Sequence, residues 1–333
     1  VSQAILLLKA ELQTAGIWAD AADAVYWFTA LDGIWEPTAE ESNMDAANTR
    51  AIDRVIAALM LPTDDEKVQY LKGYKQYVET WLTPRSQSGE GLKIDYSAFH
   101  HNTHYAGYYA PAYGSLGHTV NFLSATLFSI DAAKRTELKN ALKMGRITMG
   151  TNSSLPWSLQ GRNPGVDPPL ATGMKQSGLA DPVDSEILQA YNLVYGPDVE
   201  TSSYGNEASP QGFFQFNYAP MGVYRDSNWV YTMKGFNNNL WGAEIYSTEN
   251  RFGRYQSYGA HSIAYEGVSN YGFSLNGWDW NNNPGATTIH LPWTDLEAEN
   301  RRQDESTDSE FAGAIRFDGA ASPYINSGLQ GDI

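Results

Sequence analysis

The chain has 333 residues, 42 % of them hydrophobic, enough to bury a sizeable core and to fill two domains of about 150 residues each. It contains no cysteine, which excludes a disulfide framework and thiolate metal sites, and no uninterrupted apolar run of about 18 residues that would span a bilayer. The net charge of −16 is shared evenly, with 23 acidic against 15 basic residues up to residue 200 and 15 against 7 beyond it, a balance that disfavours nucleic acid as a partner.

Val1–Lys9 already reads as helix and lacks the charged head of a signal peptide, so the chain is expected to begin inside a larger protein. Ile52, Val55, Ile56, Leu59 and Met60 follow helical spacing, and Leu61-Pro62-Thr63-Asp64 ends that helix and caps the next. Val68, Leu71, Tyr74, Val78, Trp81 and Leu82 form a second apolar stripe, stopped by Pro84. Asp131 is a candidate cap for a helix carrying Leu138, Ala141 and Leu142 and ending at Gly145. Asp184 is a candidate for one that carries Ile187, Leu188, Tyr191 and Val194 and ends near Gly196. Residues 84–118 and 150–182, rich in Gly, Pro, Asn and Ser, read as long loops, and loops of that length are often functional.

After about residue 200 the texture changes to short β-rich runs, such as Asn228–Lys234 and Thr287–Leu291, punctuated by Gly and Asn. The expected organisation is therefore α+β in two domains, helical over 1–200 and antiparallel β over 201–333. GxGxxG, Walker, HExxH and GxSxG motifs are all absent, against a nucleotide enzyme, a zincin or an α/β-hydrolase.

Three segments carry candidate chemistry. Residues 99–113 gather three of the six histidines and four tyrosines. They read as an aromatic packing loop, as a metal loop through His101 and His104 with no acidic or thiolate ligand close by, or as a proton-transfer loop, since His and Tyr exchange protons without a fixed charge. Residues 155–169 hold a single arginine, Arg162, in a Gly/Pro frame, which reads as a partner for a surface carboxylate, as an anion binder or as a group that lowers a neighbouring tyrosine pKa. Residues 240–259 contain Glu244, Asn250, Arg251 and Arg254, and strand alternation puts Glu244 and Tyr246 on the face opposite Ile245.

Several ordered motifs together bring in a resemblance. Ala98-Phe99-His100-His101, Tyr105-Ala106-Gly107-Tyr108, Gln160-Gly161-Arg162-Asn163-Pro164, Trp241-Gly242-Ala243-Glu244-Ile245-Tyr246, Asn250–Ser257, Gly277–Asn281 and Pro284–Pro292 resemble the polysaccharide lyase family of chondroitin AC and ABC lyases, hyaluronate lyases and xanthan lyases, and the chondroitin ABC type within it. The resemblance implies an α/α toroid followed by an antiparallel β-sandwich. It implies β-elimination at the uronate of chondroitin- or dermatan-type glycosaminoglycans, with hyaluronan or another uronate polymer as the alternative substrate and a non-catalytic carbohydrate-binding relative as the alternative role. Carried over residue by residue, the catalytic set is His101, Tyr108, Arg162 and Glu244, with His100, Asn163, Trp157, Trp241, Arg251 and Arg254 as substrate contacts. His100 stands where an arginine is expected and Asn163 where a histidine is expected.

In the chemistry so implied, Arg162 favours the phenolate of Tyr108, which takes the C5 proton and then protonates the leaving oxygen. His101 binds the carboxylate region, or is the base for the epimeric uronate. Glu244 orients Arg162 and His101 or shares a proton with the uronate. No cofactor is required, and the motifs specify no divalent cation. A secreted or periplasmic monomer is expected, free of membrane and nucleic acid and acting on an acidic polysaccharide, for which positive potential must gather around Arg162, Arg251, Arg254 and the histidine segment.

Overall fold

The computed structural model describes residues 1–36, 43–86, 89–150, 153–166, 169–226, 229–265, 273–298, 303–304, 312–317 and 324–329. Helices come first: α1 (Ser2–Leu7), α2 (Lys9–Thr14), α3 (Trp18–Thr29), α4 (Met44–Met60) and α5 (Asp64–Trp81). Asn43 caps α4 by accepting from the Ala46 N–H at 2.8 Å, and Thr63 and Glu66 cap α5 reciprocally, as the break at Pro62 predicts. A small antiparallel sheet follows, β1 (Gly91–Leu92), β2 (Ala98–His100) and β3 (Thr103–His104). Next come α6 (Ala106–Leu123), α7 (Ala132–Thr148), α8 (Ala171–Leu179) and α9 (Ser185–Tyr195), the last capped by Asp184 on the N–H groups of Glu186 and Ile187.

The expected loops at 84–118 and 150–182 are corrected by α6 and α8. Their glycines serve close packing instead of turns: a Cβ on Gly117 would meet the Gly173 carbonyl at 3.0 Å, and one on Gly173 would meet the Tyr113 carbonyl at 3.0 Å. Gly145 likewise does not end α7, which continues to Thr148; a Cβ there would lie 2.6 Å from a Leu170 methyl. Asp131 sits at the α7 N-cap position, but its carboxylate pairs with Lys75 at 2.5 Å and makes no cap hydrogen bond.

Beyond α9 the chain is extended. β4 (Gly212–Phe216), β5 (Met221–Asp226), β6 (Trp229–Lys234) and β8 (Ala260–Ala264) form a four-stranded antiparallel sheet, in that order. β7 (Glu244–Ile245) pairs with β9 (Gln303–Asp304), and β10 (Ala312–Phe317) with β11 (Tyr324–Leu329). The strand expected from Asn228 begins at Trp229, and Asn228 itself lies outside the described residues. Thr287–Leu291 is not a strand. The Asn281 side chain satisfies it instead, donating to the Leu291 carbonyl at 2.9 Å and accepting from its N–H at 3.0 Å, the bonds a neighbouring strand would have made.

Two cores result. One fills the helical part, with Leu31, Val55, Tyr74, Leu116 and Leu142 among its buried residues. The other, around Val223, Val230 and Trp280, also takes in Phe99, Met144, Trp157 and Leu159 from segments before residue 200, so the sheet packs onto the helical part through a shared apolar layer. Arg225 fastens that contact, its Nη1 donating to the carbonyls of Ile147 at 2.7 Å and Met149 at 2.6 Å at the C-terminal end of α7.

His104 is buried on β3 of the small sheet, its Nδ1 accepting from the Ala98 N–H at 3.1 Å and its ring stacked on Tyr109. Burial, aided by the nearby Lys234, drives its pKa from 6.5 down to about 3. The folded value is depressed, so the stability it confers is present above pH 6.5 and is lost as pH falls toward 3. Each pH unit in that window should cost about 1.4 kcal/mol. Denaturant titrations across this range should show the decline in the wild type and a shallower one in His104→Asn, which keeps an acceptor but does not titrate. Equal slopes would contradict the assignment.

Candidate active site

Four segments converge where the small sheet meets the larger one. The first is the tip of the β2–β3 hairpin, a two-residue turn of His101 and Asn102 with φ of 49° and 52°. Positive φ at both central positions is the mark of a type I′ turn, and a side chain in that region costs about 1–2 kcal/mol. Glu90 braces the turn: one carboxylate oxygen accepts from the His101 N–H at 2.8 Å, and the other lies 2.7 Å from His100 Nδ1. The Trp241 N–H donates to the Asn102 carbonyl at 3.0 Å and ties the tip to the sheet part.

The second is the start of α6. Tyr105 is its N-cap residue and Tyr108 lies in its first turn, so the seven residues from His101 to Tyr108 bring the two rings to 5.3 Å, centroid to centroid. Tyr105 meets Tyr108 edge-on at 4.7 Å, and His100 packs against Tyr108 at 4.1 Å.

The third is the loop at Gly161–Arg162. The Tyr105 hydroxyl accepts from the Arg162 N–H at 3.0 Å, and its ring presses so closely on Gly161 that a Cβ there would fall 2.1 Å from two ring carbons. Gly161 also sits at φ 56°, so glycine is required twice over. The Arg162 guanidinium lies 4.4 Å from the Tyr246 ring centre and 5.7 Å from that of Tyr108.

The fourth is Glu244 on β7, whose side chain is wholly buried. One oxygen lies 2.8 Å from His101 Nδ1, and the other accepts from Arg162 Nη1 at 3.4 Å. Glu249 approaches Arg162 Nε at 4.0 Å. The loop bearing Arg162 is clipped to β7 by two buried amides: Asn250 Nδ2 donates to the Glu244 carbonyl at 3.0 Å, and Gln256 Nε2 to the Gly161 carbonyl at 2.8 Å. Asn250 and Gln256 also bond each other at 3.0 Å.

His101, Tyr108, Arg162 and Glu244 thus stand together, although they come from a hairpin tip, a helix start, a loop and a strand. Burial raises the Tyr108 phenol above its ordinary range; Arg162 pulls it down and Glu244 pushes it up, and burial prevails. Burial alone would weaken the charge on Arg162, but Tyr105, Tyr108, Glu244 and Tyr246 more than offset it and hold the guanidinium charged.

The expected substrate contacts fare unevenly. His100 is 5 % exposed and tied to Glu90, behind the rings of His101 and Tyr108 rather than at the surface. Trp157, expected to meet sugar, is corrected: it is buried, its ring stacked 5.6 Å from Phe273 and 5.3 Å from Trp278, and its bulk serves the second core. Trp241 and Asn163 are partly exposed, Asn163 in a turn accepted by the Gln160 carbonyl at 3.2 Å. Arg251 is exposed and paired with Glu297 at 3.4 Å, apart from the quartet. Arg254 has a buried Nε with no hydrogen bond among the described residues. The positive potential expected there is therefore partly met by Glu244, Glu249 and Glu297.

Sequence reasoning missed Glu90, Tyr246 and Gln256 as parts of the site; the contacts of Glu90 with the two histidines span 10 and 11 residues, and the bonds of Gln256 to the segment before Arg162 span 95 and 99. Tyr246 alone carried a local signal, the strand alternation that places it beside Glu244. Among the described residues no group of three or more His, Asp or Glu is arranged to hold a metal. The two-histidine reading ends differently, with His104 turned onto the Ala98 backbone. No helix among the described residues is long and apolar enough to cross a membrane.

Comparison with known proteins places this helical part and the antiparallel sheet that follows it in one family. Residues 1–172 match the family model described as lyase, catalytic, and residues 211–325 that of the polysaccharide lyase family 8 super-sandwich domain. The chain belongs to this polysaccharide lyase family. The chondroitin sulfate ABC endolyase of Proteus vulgaris is 30 % identical over 312 residues, which cover 88 % of this chain and 30 % of that protein. The chondroitin sulfate ABC exolyase of the same organism is 32 % identical over 306 residues, 84 % of this chain and 30 % of the relative. The chain therefore spans about a third of the length of these relatives. Among solved structures, the Streptomyces coelicolor A3 chondroitin AC lyase in complex with chondroitin sulphate shares the fold with a TM-score of 0.70 at 14 % identity, over 96 % of this chain and 48 % of that one. A Paenibacillus xanthan lyase gives a TM-score of 0.58 at 12 % identity, over 99 % of this chain and 39 % of that one.

Gly161→Ala tests how tightly the site is built. The added methyl must displace the Tyr105 ring and with it the bond to the Arg162 N–H, so stability should fall by about 1–3 kcal/mol, as overpacking does. A denaturant midpoint equal to wild type would show that Tyr105 does not hold this loop.

Proposed function

We propose that the chain is the catalytic portion of a lyase that cuts chondroitin- or dermatan-type glycosaminoglycans by β-elimination at the uronate. The helical part is read as a portion of an α/α toroid over 1–200 and the strands from 201 as a portion of an antiparallel β-sandwich, with the site at their junction. The observation that carries the reading is the meeting of Tyr108, His101, Arg162 and Glu244 across 143 positions of sequence, a cluster with one proton-exchanging phenol, one imidazole and one held guanidinium. The two Proteus vulgaris relatives named as chondroitin sulfate ABC lyases support the substrate class.

Elimination removes the C5 proton and breaks the C4–O bond, leaving a C4=C5 double bond. The adjacent carboxylate resists the charge that develops at C5, so a cation must meet it, and Arg162 and His101 are the groups available. Tyr108 as phenolate takes the C5 proton, and as phenol returns it to the leaving oxygen, so the site is regenerated without water. Glu244 orients both His101 and Arg162, as its two contacts support. Because burial leaves Tyr108 protonated at rest, turnover depends on the small ionised fraction. The rate constant kcat/KM should therefore rise with pH through the neutral range.

Incubation with chondroitin, dermatan and hyaluronan, each followed by the ultraviolet absorbance of the unsaturated uronate, tests the function directly. Saturated products would mean hydrolysis, and no product would leave a binding protein. Tyr108→Phe removes one oxygen and keeps the ring packed, so it should lower turnover by at least the ~10²-fold at the low end of general acid–base catalysis. A variant that keeps more than about a tenth of wild-type turnover removes Tyr108 from the mechanism. His101→Ala should damage turnover too, more on dermatan than on chondroitin if His101 serves the epimeric uronate. Added salt should slow the reaction by screening the polyanion from Arg162.

A further inference from the structure

Glu90 is a carboxylate that touches both His100 and His101 of the hairpin. Its two oxygens are divided between them, one on the His101 backbone N–H at 2.8 Å and one on His100 Nδ1 at 2.7 Å. The first bond bears on a residue at φ 49°, a conformation that a histidine holds only when its surroundings fix it. The second bears on a ring stacked 4.0 Å from the His101 ring and packed 4.1 Å from the Tyr108 ring. The backbone around Glu90 is itself anchored, since the buried Lys93 donates from Nζ to the Gly89 carbonyl at 2.6 Å and lies 3.4 Å from that of Glu90.

We propose that Glu90 is a positioning residue of the active site, acting through both histidines: it holds His101 at the strained hairpin tip and keeps the proton of His100 on Nδ1. An ionised carboxylate only accepts, so the nitrogen facing it must carry the hydrogen. That fixes the tautomer or charge state of the ring packed against Tyr108, while the backbone bond keeps His101 Nδ1 within reach of Glu244. Neither oxygen touches Tyr108, Arg162 or Glu244, so Glu90 acts by placement.

This rests on the lyase reading for its kinetic arm but not for its spectroscopic one. Glu90→Ala and Glu90→Gln separate the two bonds. Glutamine still accepts from the His101 N–H through its carbonyl, but its NH₂ cannot accept from His100, which must move its proton to Nε2. Histidine-labelled nitrogen NMR of the wild type should show His100 protonated at Nδ1, and Glu90→Gln should move that proton while circular dichroism stays unchanged. On chondroitin, Glu90→Ala should lower kcat on the order of a hundredfold with KM little changed, the scale of a misplaced catalytic group. Glu90→Gln should fall between it and wild type. A wild-type His100 lacking the Nδ1 proton, or wild-type kcat in both variants, would overturn the proposal. Should Glu90→Ala fail to fold, Glu90→Gln and the histidine spectrum decide the matter. A wild-type chain that eliminates none of the three polymers would sink the lyase reading, and the histidine spectrum would still judge Glu90.

Discussion

A carboxylate wholly withdrawn from water, as Glu244 is, survives as an anion only beside positive charge, because desolvation of an unpaired ion costs several kcal/mol. Its two partners, His101 and Arg162, belong to the hairpin and the loop that precede the sheet, whereas Glu244 itself belongs to β7. These two contacts form only when the two parts of the chain are docked. Removing Arg162 would take away the permanently charged one, and breaking a buried pair in this way costs about 3–5 kcal/mol. The machinery and the junction are held by the same atoms. Lys234 reinforces this from below: buried in the second core region, its Nζ reaches the carbonyls of Ser158 at 3.2 Å and Gly242 at 3.4 Å, one on the approach to Arg162 and one on the approach to Glu244.

The same burial sets the chemistry. Arg162 alone would favour a Tyr108 phenolate, but burial and Glu244 oppose it and the phenol's pKa goes up. In the elimination proposed above, a base that forms rarely but is strong when formed suits a weakly acidic carbon proton, and the phenol left afterwards is the acid for the departing oxygen. Arg162 keeps its charge throughout, held between the rings of Tyr246 and Tyr108 and fixed at its backbone by Tyr105.

The helices α4, α5 and α9 were legible because their apolar positions recur at helical spacing and their ends carry caps. α6 and α8 were not, because Gly114, Gly117 and Gly173 look like turn residues until a second helix is known to press on them. Thr287–Leu291 failed as a strand for the complementary reason: its backbone is met by side chains, Asn281 at Leu291 and the Tyr255 hydroxyl at the Ile289 carbonyl, which no local pattern announces. That His101, Tyr108, Arg162 and Glu244 meet in space was reachable only by resemblance, since Glu244 lies 82 positions from Arg162. What no reading of one sequence supplied was the supporting layer, Glu90 and the Asn250–Gln256 clip, whose meaning exists only in three dimensions.

His100 occupies its place beside Tyr108 by shape. An arginine at this position would bring a permanent charge and a wide fork of donors. Histidine brings a flat ring that fits a space 95 % closed to solvent, stacks on His101 and packs against Tyr108, and spends Nδ1 on Glu90. Glu90 orders this imidazole and, with its second oxygen, the backbone of the neighbouring histidine. His100 thus contributes geometry around Tyr108, while the Arg162 guanidinium is held by Glu244 and the rings of Tyr246 and Tyr108, and its backbone by the Tyr105 hydroxyl.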